Sequence, residues 1–260
     1  MRRILLALAT GVLILAGCGG SEGDQVTDAQ TLTPTESASP TATDEESTQP
    51  NPQAVWEQAI ASTSSADATN IEAQLITNVE GFERIVAGAG YVEIGQGFGD
   101  ITWTDDLGTT REVVTDSGHF LELDGFWLEV STDSALPTTV AFDPLAGLAD
   151  ATNVVEMGSE MVDGSPTIRL DADLNPRDGV QIMGFSEEEF TVFGNLEDAS
   201  LIATIWVDSE GHIIRVLREY TASSVDGDPI SATGLYLLAN FGQFQPIDVP
   251  ETADALPAPV

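Results

Sequence analysis

Apolar and polar residues alternate with period two through much of the chain after residue 70. In IEAQLITNV, Ile71, Ala73, Leu75, Thr77 and Val79 share one face of an extended segment, while Glu72, Gln74 and Asn78 share the other. That pattern predicts a half-buried strand. Strand-like runs follow at RIVAGAGYVEI, DITWTDD and TREVVTD, separated by glycines or by the turn signal Asp106-Leu107-Gly108. In HFLELDGFWLEV, Asp124-Gly125 supplies a two-residue hairpin turn. The register this predicts puts Leu121, Leu123, Phe126, Leu128 and Val130 on one face, and Phe120, Glu122, Trp127 and Glu129 on the other. After VVEMGSEMVDGSPTIRLDADL, a pair of strands, comes LIATIWVDSEGHIIRVLREY, a hairpin apolar on both faces. Strands of that kind need cover on both sides. A last strand is predicted near ISATGLYLLANFG.

Helical spacing interrupts this pattern in three places. Asn51-Pro52 reads as an N-cap followed by proline at the first helical position, with Val55, Trp56, Ala59 and Ile60 as the apolar stripe. Asp143-Pro144 repeats the device ahead of Leu145, Leu148 and Ala149, and predicts a second helix. Ser186 and Glu189 have capping-box spacing before Phe190 and Phe193, so a third, short helix is expected there.

The first 52 residues have a different character. Arg2 and Arg3 precede an apolar run, Ile4 to Gly17, too short to span a bilayer as a helix but suited to a secretory signal. Leu15-Ala16-Gly17-Cys18 resembles the lipobox of bacterial lipoproteins. The resemblance implies that residues 1–17 are removed and that Cys18, the single cysteine, carries the lipid. Each buried methylene of such an anchor contributes about 0.8 kcal/mol, and two chains hold where one does not. Residues 18–52 are rich in Ser, Thr, Pro and acids and cannot bury enough apolar surface to offset ordering, which predicts a flexible spacer. Its r.m.s. reach is roughly 30–35 Å by chain statistics. The expected organisation is a globular body over residues 53–250 and a flexible tail over 251–260.

Charge narrows the partners. There are 43 Asp and Glu against 8 Lys and Arg, for a net charge of -35, and all eight cations are arginines. Such a body repels nucleic acid and anionic headgroups. With one cysteine there is no intrachain disulfide, so the fold relies on its core.

No catalytic constellation emerges. The two histidines, His119 and His212, each follow a glycine at a turn exit and read as hairpin residues. Gly19-Gly20-Ser21-Glu22-Gly23 matches G-x-S-x-G but lacks the strand and helix that this motif requires. Asp171, Asp173 and Asn175 match the first ligands of a calcium loop, yet Pro176 stands where glycine is needed and Ile182 where a bidentate Glu belongs. The residues thus argue for a non-enzyme with no cofactor and no dedicated metal.

The phrases FWLEV, FDPLAGLADA, GSEMVDGSPTIRLDADL, ATIWVDSEGHIIRV and FGQFQPIDVPE, in that order, resemble the LppX/LprG family of bacterial lipoproteins, related in shape to the LolA and LolB carriers. The resemblance spans about residues 53–250. It implies an α+β fold: a strongly curved antiparallel sheet, a half barrel, with a few helices closing its concave side over an apolar cavity. It also implies a protein that is exported and lipid-anchored, binds a lipid or acylated glycolipid, and carries or presents it in the cell envelope as a monomer. By position along the elements, the expected cavity lining is Leu75, Val79, Leu121, Leu123, Phe126, Leu128, Leu145, Leu148, Trp206 and Ile213. The alternative is a tethered, non-catalytic interaction or sensor module with a filled core.

Overall fold

The computed structural model describes residues 51–123, 125–130, 139–182, 185, 187–250 and 255–257. The signal segment, Cys18, nearly all of the spacer, Asp124 and Ser186 lie outside them. Residues 48–260 form one compact unit that contains the whole described core.

An open antiparallel sheet dominates. Its strands are β1 (Ala68–Val79), β2 (Phe82–Glu93), β3 (Phe98–Thr104), β4 (Thr109–Thr115), β5 (Gly118–Leu123), β6 (Phe126–Val130), β7 (Thr152–Val162), β8 (Ser165–Leu174), β9 (Gly194–Val207), β10 (Ile213–Ser224) and β11 (Pro229–Ala239). The order across the sheet is β6-β5-β4-β3-β2-β1-β11-β10-β9-β8-β7, every pair antiparallel, and the two ends do not meet. The first and last strands of the body, β1 and β11, pair at its centre, from Asn70 opposite Ala239 to Val79 opposite Ile230. A short strand β12 (Ala255–Pro257) returns to pair in parallel with Trp127–Glu129. Part of the stretch expected as a free tail thus covers the β6 edge, which would otherwise present open backbone groups.

Registers assign every side chain to one of two faces. Ile71 lies opposite Leu238 and Gly90, Gly90 opposite Ile101, Ile101 opposite Glu112, and Glu112 opposite Leu121, which faces Leu128. All of these share the inner face. Two inner glycines are fixed by close approach: a Cβ on Gly90 would lie 2.1 Å from the Asp100 carbonyl oxygen, and one on Gly88 would lie 2.3 Å from the Trp103 ring.

Helices cover the inner face over one half of the sheet. α1 (Pro52–Ser64) starts as its sequence predicts, the Asn51 side chain accepting from Gln53 N. It packs on β7 and β10, while α2 (Pro176–Ile182) packs on β9, β10 and β11. α3 (Glu187–Phe190) forms where the capping box predicts a short helix. The packing is dense: Trp56, Phe142, Leu148, Phe190, Tyr220 and Tyr236 are all essentially inaccessible.

The helix expected at Asp143-Pro144 does not form. Thr139–Phe142 and Leu148–Asp150 are single 3-10 turns, and Gly147 between them takes a left-handed φ of 73°. Arg218 supplies the cause, because its guanidinium draws in the Pro144 carbonyl at 2.9 Å and the Ala146 carbonyl at 2.6 Å. A carbonyl turned sideways to a guanidinium is not aligned with a helix axis.

The doubly apolar hairpin is β9–β10. Its inner side, with Ile205, Val216 and Tyr220, joins the core under the helices. Its outer side is covered by side chains: Trp206 lies under Arg215 at 4.5 Å and Arg169 at 5.6 Å, and its indole nitrogen donates to Glu160. Guanidinium over indole is worth about 0.5–2 kcal/mol per contact, depending on desolvation.

Candidate functional site

The ten residues expected to line a cavity separate into three groups. Leu75, Leu145, Leu148 and Ile213 are buried in the main core, with Val79 half-buried against it. Trp206 is on the outer face, one residue out of phase with the inward Ile205, so it lies apart from the rest. Leu121, Leu123, Phe126 and Leu128 come together on the inner face in the predicted register, Leu121 opposite Leu128 and Leu123 opposite Phe126.

This last group occupies the half of the sheet away from α1 and α2. It is an apolar band graded from cover to openness. Trp103 on β3 and Val130 on β6 are buried, Leu121 and Leu128 are half-buried, and Leu123 and Phe126 are exposed at the hairpin end. Strand alternation positions the band, and the β5–β6 turn brings its two strands together.

Two polar groups adjoin it: Glu112, which the spacing did not mark, and His119, expected as a hairpin residue at a turn exit and found buried. Glu112 is wholly buried on the inner face, its Oε1 2.6 Å from His119 Nε2. Glu112 Oε2 and Trp103 Nε1 have no protein partner among the described residues. An unpartnered buried acceptor and donor carry a desolvation cost of about 1–3 kcal/mol each unless a partner is supplied. A carboxylate in TREVVTD at an inward phase of the alternation was the available signal. The abundance of acids along the whole chain masks it.

A second polar set lies deep under the helices. Arg218 sits 5.9 Å from the Tyr236 ring, and the hydroxyls of Tyr220 and Tyr236 have no partner among the described residues. Burial pulls the Arg218 guanidinium below its ordinary value and pushes both phenols up to about 12. In the unfolded chain a tyrosine titrates near 10. The neutral phenol is therefore the form the fold favours. Its contribution is fully present below about pH 10 and is lost as pH rises through about 12. Alkaline titration followed at 295 nm and by circular dichroism should show these two tyrosines ionising together with loss of the fold. Ionisation of all tyrosines near pH 10 with the sheet intact would contradict this.

The other candidates have protein partners. Asp171 receives Arg169, Asp173 receives the Asn153 amide, and Asn175 caps α2 through Arg177 N. At the β9–β10 turn, Asp208 Oδ1 accepts from the backbone of Glu210 and His212, and the His212 ring stacks on Phe241 at 4.7 Å.

On the outer face, β1, β2 and β11 floor a groove of about 500 Å³ that is walled by Val162, Asp163 and Ser165 and by Phe241. Its lining mixes Leu237, Ala89 and Ile214 with Asn70, Glu72 and Asp163. No described helix is long and apolar enough to cross a membrane.

No family model matches the sequence, and no curated protein does. Among solved structures, the chain is similar to the lipoprotein LppX of Mycobacterium tuberculosis, with 14% identity over 77% of this chain and 100% of that one and a TM-score of 0.47. It is similar also to LprF from Mycobacterium bovis, with 14% identity over 76% of this chain and 96% of that one and a TM-score of 0.48. The first of these is a lipoprotein of the group that the quoted sequence phrases resemble.

Proposed function

We propose that this chain is a non-catalytic envelope lipoprotein, exported and anchored through Cys18, whose body binds the acyl part of a lipid or acylated glycolipid along the inner face of β3–β6. The observation that carries the reading is the apolar band of Trp103, Leu121, Leu123, Phe126 and Leu128, half-covered at one end and open at the other. Acyl surface leaving water for such a band gains roughly 25 cal/mol per Å², without directional bonds that would hinder release. Glu112 Oε2 and Trp103 Nε1 add one acceptor and one donor, suited to a hydroxyl on the bound molecule.

Native mass spectrometry of residues 48–260, secreted from a bacterial host and then extracted with organic solvent, tests this. The expected result is a bound species in the lipid mass range, retained at least tenfold less by Leu128→Asp. A clean protein mass, with no uptake of offered diacylglycerol or phospholipid, overturns the proposal.

The dense packing of Trp56, Phe142, Phe190, Tyr220 and Tyr236 under the helices favours a second reading, in which the core is filled and the body is a tethered interaction module. A clean mass together with specific capture of an envelope protein would support that reading.

A further inference from the structure

The antiparallel order sends the β1–β2, β3–β4, β5–β6 and β10–β11 turns and the α3–β9 junction to one rim of the sheet, and the β2–β3, β4–β5, β7–β8 and β9–β10 turns to the other. The two rims differ in chemistry. Each turn of the first presents a large apolar side chain to solvent: Phe82 (74% exposed), Leu107 (87%), Phe126, Val225 and, at the α3–β9 junction, Val192 (78%). The turns of the second present Gln96, Asp116 and Ser117, Asp163, and Ser209 and Glu210; the large apolar side chains exposed near it are Met161 on β7 and Phe244 (64% exposed) on the segment that leaves β11, held there by Gly242 N on the Ala68 carbonyl, and neither is at a turn tip.

We infer that the first rim docks on a lipid surface with electrically neutral or zwitterionic headgroups. The apolar side chains sit singly on separate turns rather than in one groove. That spacing suits a fluid occupant, which closes around each tip independently, better than a protein with a fixed relief. The turns are held in position: Asp105 accepts from the backbone of Leu107 and Gly108 and from Arg84 across the β2–β3 pair, and Val225 N donates to the Phe193 carbonyl beside Val192.

Headgroup charge follows from the neighbours. Glu80, Glu83, Asp106, Asp226 and Asp228 flank the tips, and the nearby Arg84 is already paired with Asp105. An anionic surface would repel this rim, and a zwitterionic one presents cations to it.

The entry of the chain points the same way. Trp56 near the start of α1 reaches the Leu148 carbonyl, just before β7 begins at the first-rim end, whereas Thr63 near its other end meets Ile213 N at the second rim. α1, the first described element, thus begins on the side of the apolar rim. The choice of a lipid surface rests on the Cys18 tether; the rim geometry does not depend on the acyl band.

Residues 48–260 lack cysteine, so single sites can be labelled. An environment-sensitive fluorophore at Leu107→Cys should shift to the blue with phosphatidylcholine vesicles, and one at Ser117→Cys on the opposite rim should not. In flotation with the same vesicles, Leu107→Glu with Val192→Glu should lower the bound fraction at least tenfold, whereas Met161→Glu should leave it unchanged. Phosphatidylglycerol vesicles at low salt should bind less than phosphatidylcholine.

No shift at position 107, equal shifts at 107 and 117, stronger binding to phosphatidylglycerol, or a shift arising from self-association without vesicles would each overturn the inference. A body that docks but extracts no lipid defeats only the function proposed above. One that carries lipid but does not dock defeats only the rim.

Discussion

Trp56→Ala is expected to destabilise the body by about 3–5 kcal/mol, the range for removing a large buried aromatic. Trp56 is 1% exposed and is the largest fully buried side chain on α1. Three losses coincide. The indole's apolar surface goes, a cavity opens between α1 and the sheet, and the Leu148 carbonyl loses the donor 2.8 Å away. α1 has few other anchors, Ala59 and Thr63 being its remaining buried residues. Against a total stability of about 5–15 kcal/mol, the loss would leave a marginal fold. Urea denaturation should show a midpoint lower by roughly 2 M at an ordinary m-value. Trp56→Phe separates the contributions, since it keeps most of the packing but removes the indole donor from a carbonyl that still accepts from Ala151 N at 3.3 Å, and should cost about 0.5–1.5 kcal/mol, the net contribution of one hydrogen bond. An unchanged midpoint for the alanine variant would mean that α1 is not part of the cooperative unit.

Local rules carried far where one residue pattern and one physical cause sufficed. The β5–β6 register followed from Asp124-Gly125 and strict alternation, and the two faces are those expected. The inward set Ile71, Ala73 and Leu75 on β1 followed from period two alone, and all three are buried. Asn51-Pro52 has two mutually supporting signals, cap and proline, and the helix begins there. Asp143-Pro144 carries the same two signals and fails, because a residue 74 positions away competes for the carbonyls. Nothing local to FDPLAGLADA announces Arg218.

The site divides along similar lines. The hairpin group Leu121, Leu123, Phe126 and Leu128 was readable because its members are neighbours in one register. Whether Leu75, Leu148 or Ile213 faces a ligand or another side chain depends on what lies across the half barrel, which period two does not encode. Trp206 shows a different limit. In a strand apolar on both faces the alternation no longer says which side is inward, and only the bulge between Ile213 and Arg215 and the arginines over the indole decide it. The apolar rim is a property of topology. Phe82, Leu107, Val192 and Val225 are spread over 143 positions of sequence, and only the pairing of β1 with β11 brings their turns to one side.

Arg218→Ala should cost about 2–4 kcal/mol, and the sign depends on two opposed effects. Arg218 is 2% exposed, its Nε has no partner among the described residues, and burial lowers its pKa. Removing a charge that is costly to bury favours the variant. Against that, its guanidinium donates to two backbone carbonyls, Pro144 and Ala146, and a hydrogen bond to a charged group contributes about 1.5–3 kcal/mol. Asp143 and Asp178 also lend it favourable charge, which offsets part of the desolvation. Two orphaned carbonyls and the emptied space under Tyr236 therefore outweigh the relief. The loss should be local before it is global: in native-state hydrogen exchange, protection at Ala146 N and Leu148 N, which donate within the Asp143–Asp150 segment, should fall first. Arg218→Met fills the space without restoring donors and should recover less than half of the loss. If the methionine variant is instead as stable as the native chain, desolvation balances both hydrogen bonds. The arginine would then be retained for the shape it imposes on residues 143–150, where it prevents the helix that their sequence favours.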